Sequence, residues 1–135
     1  MKNVAVIGMG TMGPGIAATL ARGGMNVRGY DTSAAAAANS GGLISSAFVA
    51  LEGLSMPDHG GAAQISMSNS LEDCVSGADL VVETVPEDVD LKLELLSILD
   101  GLVSRECVLA SDTSGIPITR LQHGNSNPGR VIGMH

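Results

Sequence analysis

The sequence predicts a doubly wound α/β fold with a mainly parallel sheet, in a single domain that covers residues 1–135. Short apolar runs alternate with helical segments, a glycine-rich turn follows the first run, and an acidic residue follows the second. The length suits one domain, and 44% apolar residues are enough to fill a core. Intrinsic disorder is therefore excluded.

The first half of the chain predicts three strands joined by two helices. Residues 3–7 form an apolar run that ends at a glycine, which is typical of a strand buried on both faces. The first helix is predicted over residues 13–23, where Pro14 suits the first turn and two glycines follow the last. The other elements are a strand at 25–30, a helix at 34–51, a loop at 55–63 and a short strand at 65–68.

The second half continues the alternation with three more strands. Ser-Leu-Glu-Asp at 70–73 resembles a capping box and predicts a brief helix. A buried strand is predicted at 79–84, with Glu83 as a strand-end carboxylate. Apolar residues recur at helical spacing from 91 to 102, which indicates an amphipathic helix after Asp88. Strands at 107–111 and 130–134 flank a helical turn at 117–121, and this alternation favours a parallel sheet.

Charge and composition exclude several classes of partner. The net charge is −7, and no Lys or Arg occurs between Arg28 and Lys92, so we expect no nucleic-acid binding. No apolar run is expected to reach transmembrane length, which predicts no membrane partner and a cytoplasmic location. Cys74 and Cys107 have apolar neighbours and are predicted to be buried thiols. The histidines show no metal-ligand spacing, so no metal site is expected.

Residues 8–13, Gly-Met-Gly-Thr-Met-Gly, fit the G-x-G-x-x-G pattern of a dinucleotide-binding turn. Gly8 permits the tight turn, Gly10 lets a pyrophosphate approach the backbone, and Gly13 lets the helix pack closely on its strand. Thr11 and Met12 complete the loop at a helix N-terminus, where free N–H groups favour negative charge. The motif therefore predicts a Rossmann-type cofactor site.

Asp31 follows the second strand, where a carboxylate can bind the hydroxyls of an adenosine ribose. It would repel a 2′-phosphate, and neither Thr32 nor Ser33 supplies a cation to hold one. Arg28 lies within the strand, in a poor position for that task. The cofactor is therefore predicted to be NAD. The alternative is that Asp31 only caps the next helix, and both roles can hold together.

Three further segments and the end of the chain carry a family resemblance. GMGTMGPGIA at 8–17, VVETVPEDVDLK at 81–92, ASDTSGIPIT at 110–119 and Gly-Met-His at 133–135 resemble the NAD-binding domain of the 3-hydroxyacyl-CoA dehydrogenase family. The resemblance covers nearly the whole chain and is weakest at about 34–64. It implies an oxidoreductase of fatty acid metabolism that transfers hydride between C3 of a 3-hydroxyacyl compound and NAD.

The resemblance also implies roles for individual residues. Glu87 and Lys92 would lie near the nicotinamide ribose, and Ser114 would bond the substrate's 3-oxygen beside the nicotinamide. His135 would be the general base, for which an imidazole is well suited. Other interpretations remain open. Glu87 and Lys92 can be a solvated helix start, Ser114 a turn residue, and His135 part of a purification tag.

Two departures from the family pattern leave one cofactor contact and the substrate open. Asp112 stands where the family usually has Asn, and because an ionised Asp cannot donate a hydrogen bond, the contact on the nicotinamide side is left open. The segment between Asp31 and Ile65 is short and lacks the basic residue with which acyl-CoA members contact CoA, so no CoA-binding residue is assigned. The alternatives are a sister dehydrogenase of a non-CoA hydroxy acid, of the carnitine or sugar-acid type, and a non-catalytic NAD-binding module.

The family continues past its histidine into a segment that carries an orienting acid, and then into a helical domain used for dimerisation and substrate binding. This chain lacks both. The resemblance therefore implies that these 135 residues alone are inactive. It also implies that the full-length parent is a homodimer whose partner is a small-molecule substrate, either an acyl-CoA or a hydroxy acid.

Overall fold

The computed structural model describes residues 1–56 and 58–135, which form a six-stranded, wholly parallel sheet in the order β3-β2-β1-β4-β5-β6. This confirms the predicted doubly wound fold. The strands are β1 Asn3–Ile7, β2 Asn26–Tyr30, β3 Ile65–Met67, β4 Leu80–Glu83, β5 Val108–Ser111 and β6 Val131–Gly133. The helices are α1 Gly13–Arg22, α2 Ala34–Gly53, α3 Leu71–Val75, α4 Val89–Leu102 and α5 Ile118–Leu121.

The strand order reverses at β1, which pairs with β2 on one side and β4 on the other. The turns after these three strands therefore meet at one edge of the sheet. Open α/β sheets bind ligands at such a switch point, outside the carboxyl ends of the strands. The fold thus brings the glycine turn, Asp31 and the segment after Glu83 to the same place.

The core lies in two layers, one on each face of the sheet. Along β1, Ala5 and Ile7 pack in a cluster with residues of α3 and α4, whereas Val4 and Val6 face the side of α1. Cys74 and Cys107 belong to the first cluster as free thiols, as predicted. Burial raises the pKa of the Cys74 thiol to about 11, so it packs as a neutral, small apolar group.

Side-chain caps explain where several helices begin. The Ser33 hydroxyl accepts a hydrogen bond from Ala36 N at the start of α2, and the Ser70 hydroxyl accepts one from Asp73 N at the start of α3. The predicted bounds agree within one to two residues, except that the loop predicted at 55–63 ends in a 3₁₀ turn at Ala62–Gln64. One residue of that loop, Pro57, lies outside the described residues.

The expectation that no apolar run reaches transmembrane length is wrong for α2. By length and composition alone, Ala34–Gly53 could cross a membrane. In the structure α2 is the connection between the parallel strands β2 and β3, and it packs against α1. Ser40 and Ile44 are its buried residues. The helix is therefore an integral part of the sheet's covering layer.

Candidate active site

In the glycine turn after β1, the protein's own packing requires glycine at positions 8 and 13 but not at position 10. Gly8 has φ +95°, a left-handed conformation that favours glycine. A Cβ on Gly13 would lie 1.9 Å from the carbonyl oxygen of Gly8, so only glycine lets α1 sit on the turn. A Cβ on Gly10 would meet no protein atom within 4 Å. The protein's own packing thus leaves Gly10 unexplained, whereas the close approach of a ligand explains it.

The same turn offers backbone donors at the start of α1. Within residues 1–56 and 58–135, the N–H groups of Gly10, Thr11 and Met12 have no protein acceptor. Helix α1 follows directly, with no side-chain cap and with Pro14 in its first turn. A helix N-terminus with free N–H groups is a binding site for an anion such as a pyrophosphate. The turn therefore fits the phosphates of a dinucleotide.

Asp31 connects the glycine turn to the start of α2. One carboxylate oxygen accepts a hydrogen bond from Met9 N at 2.7 Å, and the other accepts one from Ser33 N at 2.7 Å. Ser33, not Asp31, is the N-cap of α2, so the interpretation of Asp31 as a simple cap is not sufficient. A carboxylate can accept about four hydrogen bonds, and two positions remain for the hydroxyls of a ribose.

A cleft of about 750 Å³ joins these features at the carboxyl ends of β1, β2 and β4. One side of it contains predicted cofactor residues, and the opposite wall on α4 is mostly apolar, with Glu94 as its charged residue. In that wall, the side chains of Leu91 and Ile98 are exposed on α4. The sequence pattern assigns these two residues to the apolar face of an amphipathic helix without distinguishing cleft from core. The predicted residues that line the cleft are Gly8, Gly10, Thr11, Met12 and Asp31.

Glu87 holds the turn after β5. Its Oε1 accepts hydrogen bonds from the Thr113 hydroxyl at 2.5 Å, from Gly115 N at 3.0 Å and from Ser114 N at 3.2 Å. The Thr113 hydroxyl and then the backbone N–H of Gly115 hold the pKa of Glu87 below its usual range, and Lys92 and Ser114 N act in the same direction. Glu87 is therefore an ionised clamp on the backbone of Ser114.

Lys92 lies behind this clamp, and its side chain is only 1% exposed. Its Nζ donates to both carboxylate oxygens of Glu83, at 2.8 and 2.9 Å, and to the carbonyl oxygen of Val85 at 3.1 Å. These acceptors match the three N–H donors of the ammonium, so in this arrangement Lys92 has no donor left over for a cofactor. The alternative of a solvated helix start is wrong for Lys92, because the side chain is buried.

Glu83 ends β4 as predicted. Its hydrogen-bond partners could not be found from their spacing along the chain. The carboxylate is fully buried and accepts hydrogen bonds from Lys92, from Val85 N at 3.1 Å and from the Ser111 hydroxyl. Burial raises the pKa of Glu83, and the hydrogen bonds from Lys92 and Ser111 oppose that rise. Lys92 Nζ also lies 3.7 Å from Glu87 Oε2, so the buried pair adjoins the clamp on Ser114.

His135 lies beside Asp112, just beyond the ends of two neighbouring strands. The register pairs Ser111 with Gly133, and His135 Nδ1 lies 3.0 Å from Asp112 Oδ1. The described contacts do not join Ser114 to His135. The two residues do share one edge of the sheet. The orienting acid that the resemblance places after the histidine stays a prediction, and Asp112 is a carboxylate of this chain that contacts the imidazole.

A second groove, of about 530 Å³, lies on the α1 side of His135. Thr11 and Met12 line both this groove and the cofactor cleft, so the two spaces are adjacent. Asp112, Met134 and His135 are among the residues that line it. The imidazole therefore faces a space that a small molecule could enter next to the cofactor.

The sequence matches the profile of the 3-hydroxyacyl-CoA dehydrogenase NAD-binding domain over residues 3–135. His135 falls within the match, which counts against a purification tag. The chain is 45% identical to a Mesorhizobium japonicum 5-formyl-3-hydroxy-2-methylpyridine 4-carboxylate 5-dehydrogenase, covering 100% of this chain and 44% of the relative. It is 36% identical to a Streptomyces griseus L-carnitine dehydrogenase, covering 100% of this chain and 40% of the relative.

Solved structures agree with the sequence matches. The crystal structure of 5-formyl-3-hydroxy-2-methylpyridine 4-carboxylic acid 5-dehydrogenase, described as an NAD⁺-dependent dismutase, superposes with a TM-score of 0.92 and 45% identity, covering 100% of this chain and 44% of that one. The (S)-3-hydroxybutyryl-CoA dehydrogenase from Ralstonia eutropha superposes with a TM-score of 0.87 and 35% identity, covering 100% and 49%. The chain thus spans less than half the length of these similar proteins.

Proposed function

Because the chain belongs to the 3-hydroxyacyl-CoA dehydrogenase family as its NAD-binding domain, we propose that it provides the cofactor site and the general base of an NAD-dependent dehydrogenase. The substrate we propose is a small hydroxy acid that carries no CoA. The observation that carries the dehydrogenase assignment is the glycine turn, where Gly10 and free N–H groups adjoin the Asp31 carboxylate in one cleft.

The residues of the cleft fit NAD part by part. The N–H groups of Gly10, Thr11 and Met12 would hold the pyrophosphate, since α1 begins directly after them. Asp31 would accept hydrogen bonds from the adenosine ribose. The apolar wall on α4, which includes Leu91, would cover the adenine.

The reaction would use groups on the strand ends beside the cleft. Bound NAD supplies an acceptor for hydride. His135 would accept the proton of the substrate hydroxyl through Nε2, and the Ser114 hydroxyl would bond the same oxygen. Glu87 would keep Ser114 in position by holding its backbone N–H. Ser114 and His135 both follow strands that end at the cofactor edge, which supports these roles.

The choice of a substrate without CoA rests on charge. CoA carries a 3′-phosphate and a pyrophosphate, and proteins hold such groups with Lys or Arg. Residues 29–91 contain neither, and they include the segment between β2 and β3 where acyl-CoA members of the family place a basic contact. Two of the similar proteins are named for a pyridine carboxylate and for carnitine, substrates that carry no CoA.

The second candidate is a 3-hydroxyacyl-CoA dehydrogenase. It is favoured by the family profile and by the 35% identity to the Ralstonia eutropha enzyme. Its CoA contacts would have to come from cations outside residues 29–91. The same residues of the cofactor cleft would serve either substrate, so the cleft alone does not distinguish them.

The experiment compares substrates on the complete polypeptide that contains this chain. We measure kcat/KM for a 3-hydroxybutyryl ester of CoA, for the same acyl group on pantetheine, and for L-carnitine and a hydroxymethyl pyridine carboxylate. A preference for the CoA ester over the pantetheine ester below about ten-fold, with a free acid as the better substrate, supports the proposal. A preference of several hundred-fold, about 3–4 kcal/mol, favours the second candidate. NAD binding without turnover of any hydroxy acid would support a non-catalytic module.

A further inference from the structure

Among the described residues of the cofactor cleft, the wall on α4 carries one charged side chain, that of Glu94. Four residues of the helix line the cleft at spacings of three and four positions, which places them on one helix face: Leu91, Glu94, Leu95 and Ile98. Leu91, Glu94 and Ile98 are exposed. The Glu94 carboxylate therefore lies on an otherwise apolar surface that faces the cleft.

Within the part of the chain that the structure describes, the protein itself gives this carboxylate no partner. Its oxygens accept no hydrogen bond there and lie within ion-pair distance of no basic group. Asp90 is four positions before it on the helix and Ser97 three positions after it, so neighbours on the helix do not balance its charge. Glu87, by contrast, is held by three donors. Glu94 is thus an acceptor left over for a ligand.

The other residues of the cleft show which half of a dinucleotide Glu94 faces. Asp31, which would hold the adenosine ribose, lines the cleft, whereas none of the described residues that follow β5 and β6 does so. The nicotinamide would lie beside Ser114 and His135, outside this space. The wall on α4 therefore faces the adenosine half of the cofactor.

The adenosine half of NAD has few donors for a carboxylate. They are the ribose hydroxyls, which Asp31 would bind, and the 6-amino group of the adenine. We propose that Glu94 is a specificity-determining residue for the cofactor, which accepts a hydrogen bond from that amino group. This rests on the proposed function only in taking the cleft as the NAD site. The base is thus selected by a residue of α4, whereas the phosphates and the ribose are held at the ends of β1 and β2.

The experiment compares NAD⁺ with its hypoxanthine analogue, in which a carbonyl replaces the 6-amino group. The carbonyl oxygen is an acceptor and would repel the carboxylate, and only the neighbouring ring N1–H remains as a donor. A site that bonds an N–H group discriminates against a ligand that lacks it. Calorimetric titration of the chain should therefore show that NAD⁺ binds at least about ten-fold more tightly. Because the two ligands carry the same charge, the ratio of their affinities is independent of any general electrostatic effect.

Two variants assign the discrimination to Glu94. In Glu94→Gln the side-chain amide can accept from an amino group and can also donate to a carbonyl. We expect this variant to reduce the preference for NAD⁺ to less than about three-fold, with an unchanged Tm because the side chain is exposed. Glu106→Gln removes an exposed carboxylate that does not line the cleft, and it should keep the ten-fold preference.

The outcomes distinguish this proposal from the proposed function. Equal affinities for the two ligands in the unmodified chain, or a preference for NAD⁺ that persists in Glu94→Gln, would overturn the role of Glu94 while leaving the cleft as an NAD site. If NAD⁺ does not bind at all, the proposed function fails, and the role of Glu94 fails with it.

Discussion

Replacing Gly10 with alanine should separate cofactor binding from folding. The Cβ of an alanine at this position would meet no protein atom within 4 Å, and Gly10 does not have a positive φ. The fold therefore has no need of glycine here. A bound pyrophosphate does, because the second glycine of the motif lets the phosphates approach the backbone.

The geometry gives the direction of both effects, and typical interaction energies give their size. An alanine in a compatible conformation reduces the entropy of the unfolded chain, so the free energy of unfolding should stay level or rise by about 0.4–1 kcal/mol. The methyl group would displace the phosphates from the N–H groups of Gly10 and Thr11. Each hydrogen bond to a charged group is worth about 1.5–3 kcal/mol. The loss of one or two such bonds should weaken NAD binding about ten-fold to several hundred-fold.

The assay combines thermal unfolding with calorimetric titration of NAD. Gly13→Ala is the matched control, since its Cβ would lie 1.9 Å from the backbone carbonyl of Gly8. That variant should lose stability by at least about 1–3 kcal/mol through overpacking. If Gly10→Ala binds NAD as tightly as the parent chain, the phosphates do not approach this loop and the assignment of the cleft fails.

Two further predictions concern stability. Glu83→Gln should cost about 3 kcal/mol, or about 10 °C in Tm, because it removes the buried counter-charge of the Lys92 ammonium and leaves only the more exposed Glu87 carboxylate, at 3.7 Å. The double variant with Lys92→Met should recover to within about 1 kcal/mol of the parent; no recovery in urea unfolding would contradict this account. The backbone N–H groups of Asn3 and Lys2 hold the pKa of Asp79 below its ordinary value of 3.8. The ionised Asp79 therefore contributes its full stability above pH 3.8, and that contribution is lost as the pH falls through the lower pKa of the folded chain. Acid unfolding should therefore be less steep in Asp79→Asn than in the exposed control Glu106→Gln, and identical curves would refute it.

The sequence predicted the strands and the glycine turn because their signals are local. A buried parallel strand appears as a continuous apolar run, as in β1 and β4, and the turn after β1 is set by glycines at fixed offsets. Asp31 was found by its distance from that turn. These features depend on neighbours in sequence or on a fixed supersecondary unit, so reading along the chain is enough to place them.

The polar network could not be predicted because its partners are distant in sequence. Glu87 binds the backbone of Ser114 from 27 positions away, and Asp112 reaches His135 across 23 positions through the pairing of β5 with β6. For Lys92 the sequence pattern is misleading. Its position at the start of a helix indicates a solvated charge, yet the packing of α4 on the sheet buries the side chain. A charged residue on a helix can be assigned to solvent or to a buried ion pair only when the residues packed against that face of the helix are known.

We expect this chain to select NAD through Asp31. Calorimetric titration of the chain with NAD⁺ and with NADP⁺, under the same salt conditions, tests it most directly. The Asp31 carboxylate should accept the ribose hydroxyls of NAD and repel a 2′-phosphate, so NAD⁺ should bind at least about ten-fold more tightly. Asp31→Ala should weaken the binding of NAD⁺ and reduce the difference in affinity between NAD⁺ and NADP⁺. Equal or tighter binding of NADP⁺ by the unmodified chain would contradict the account.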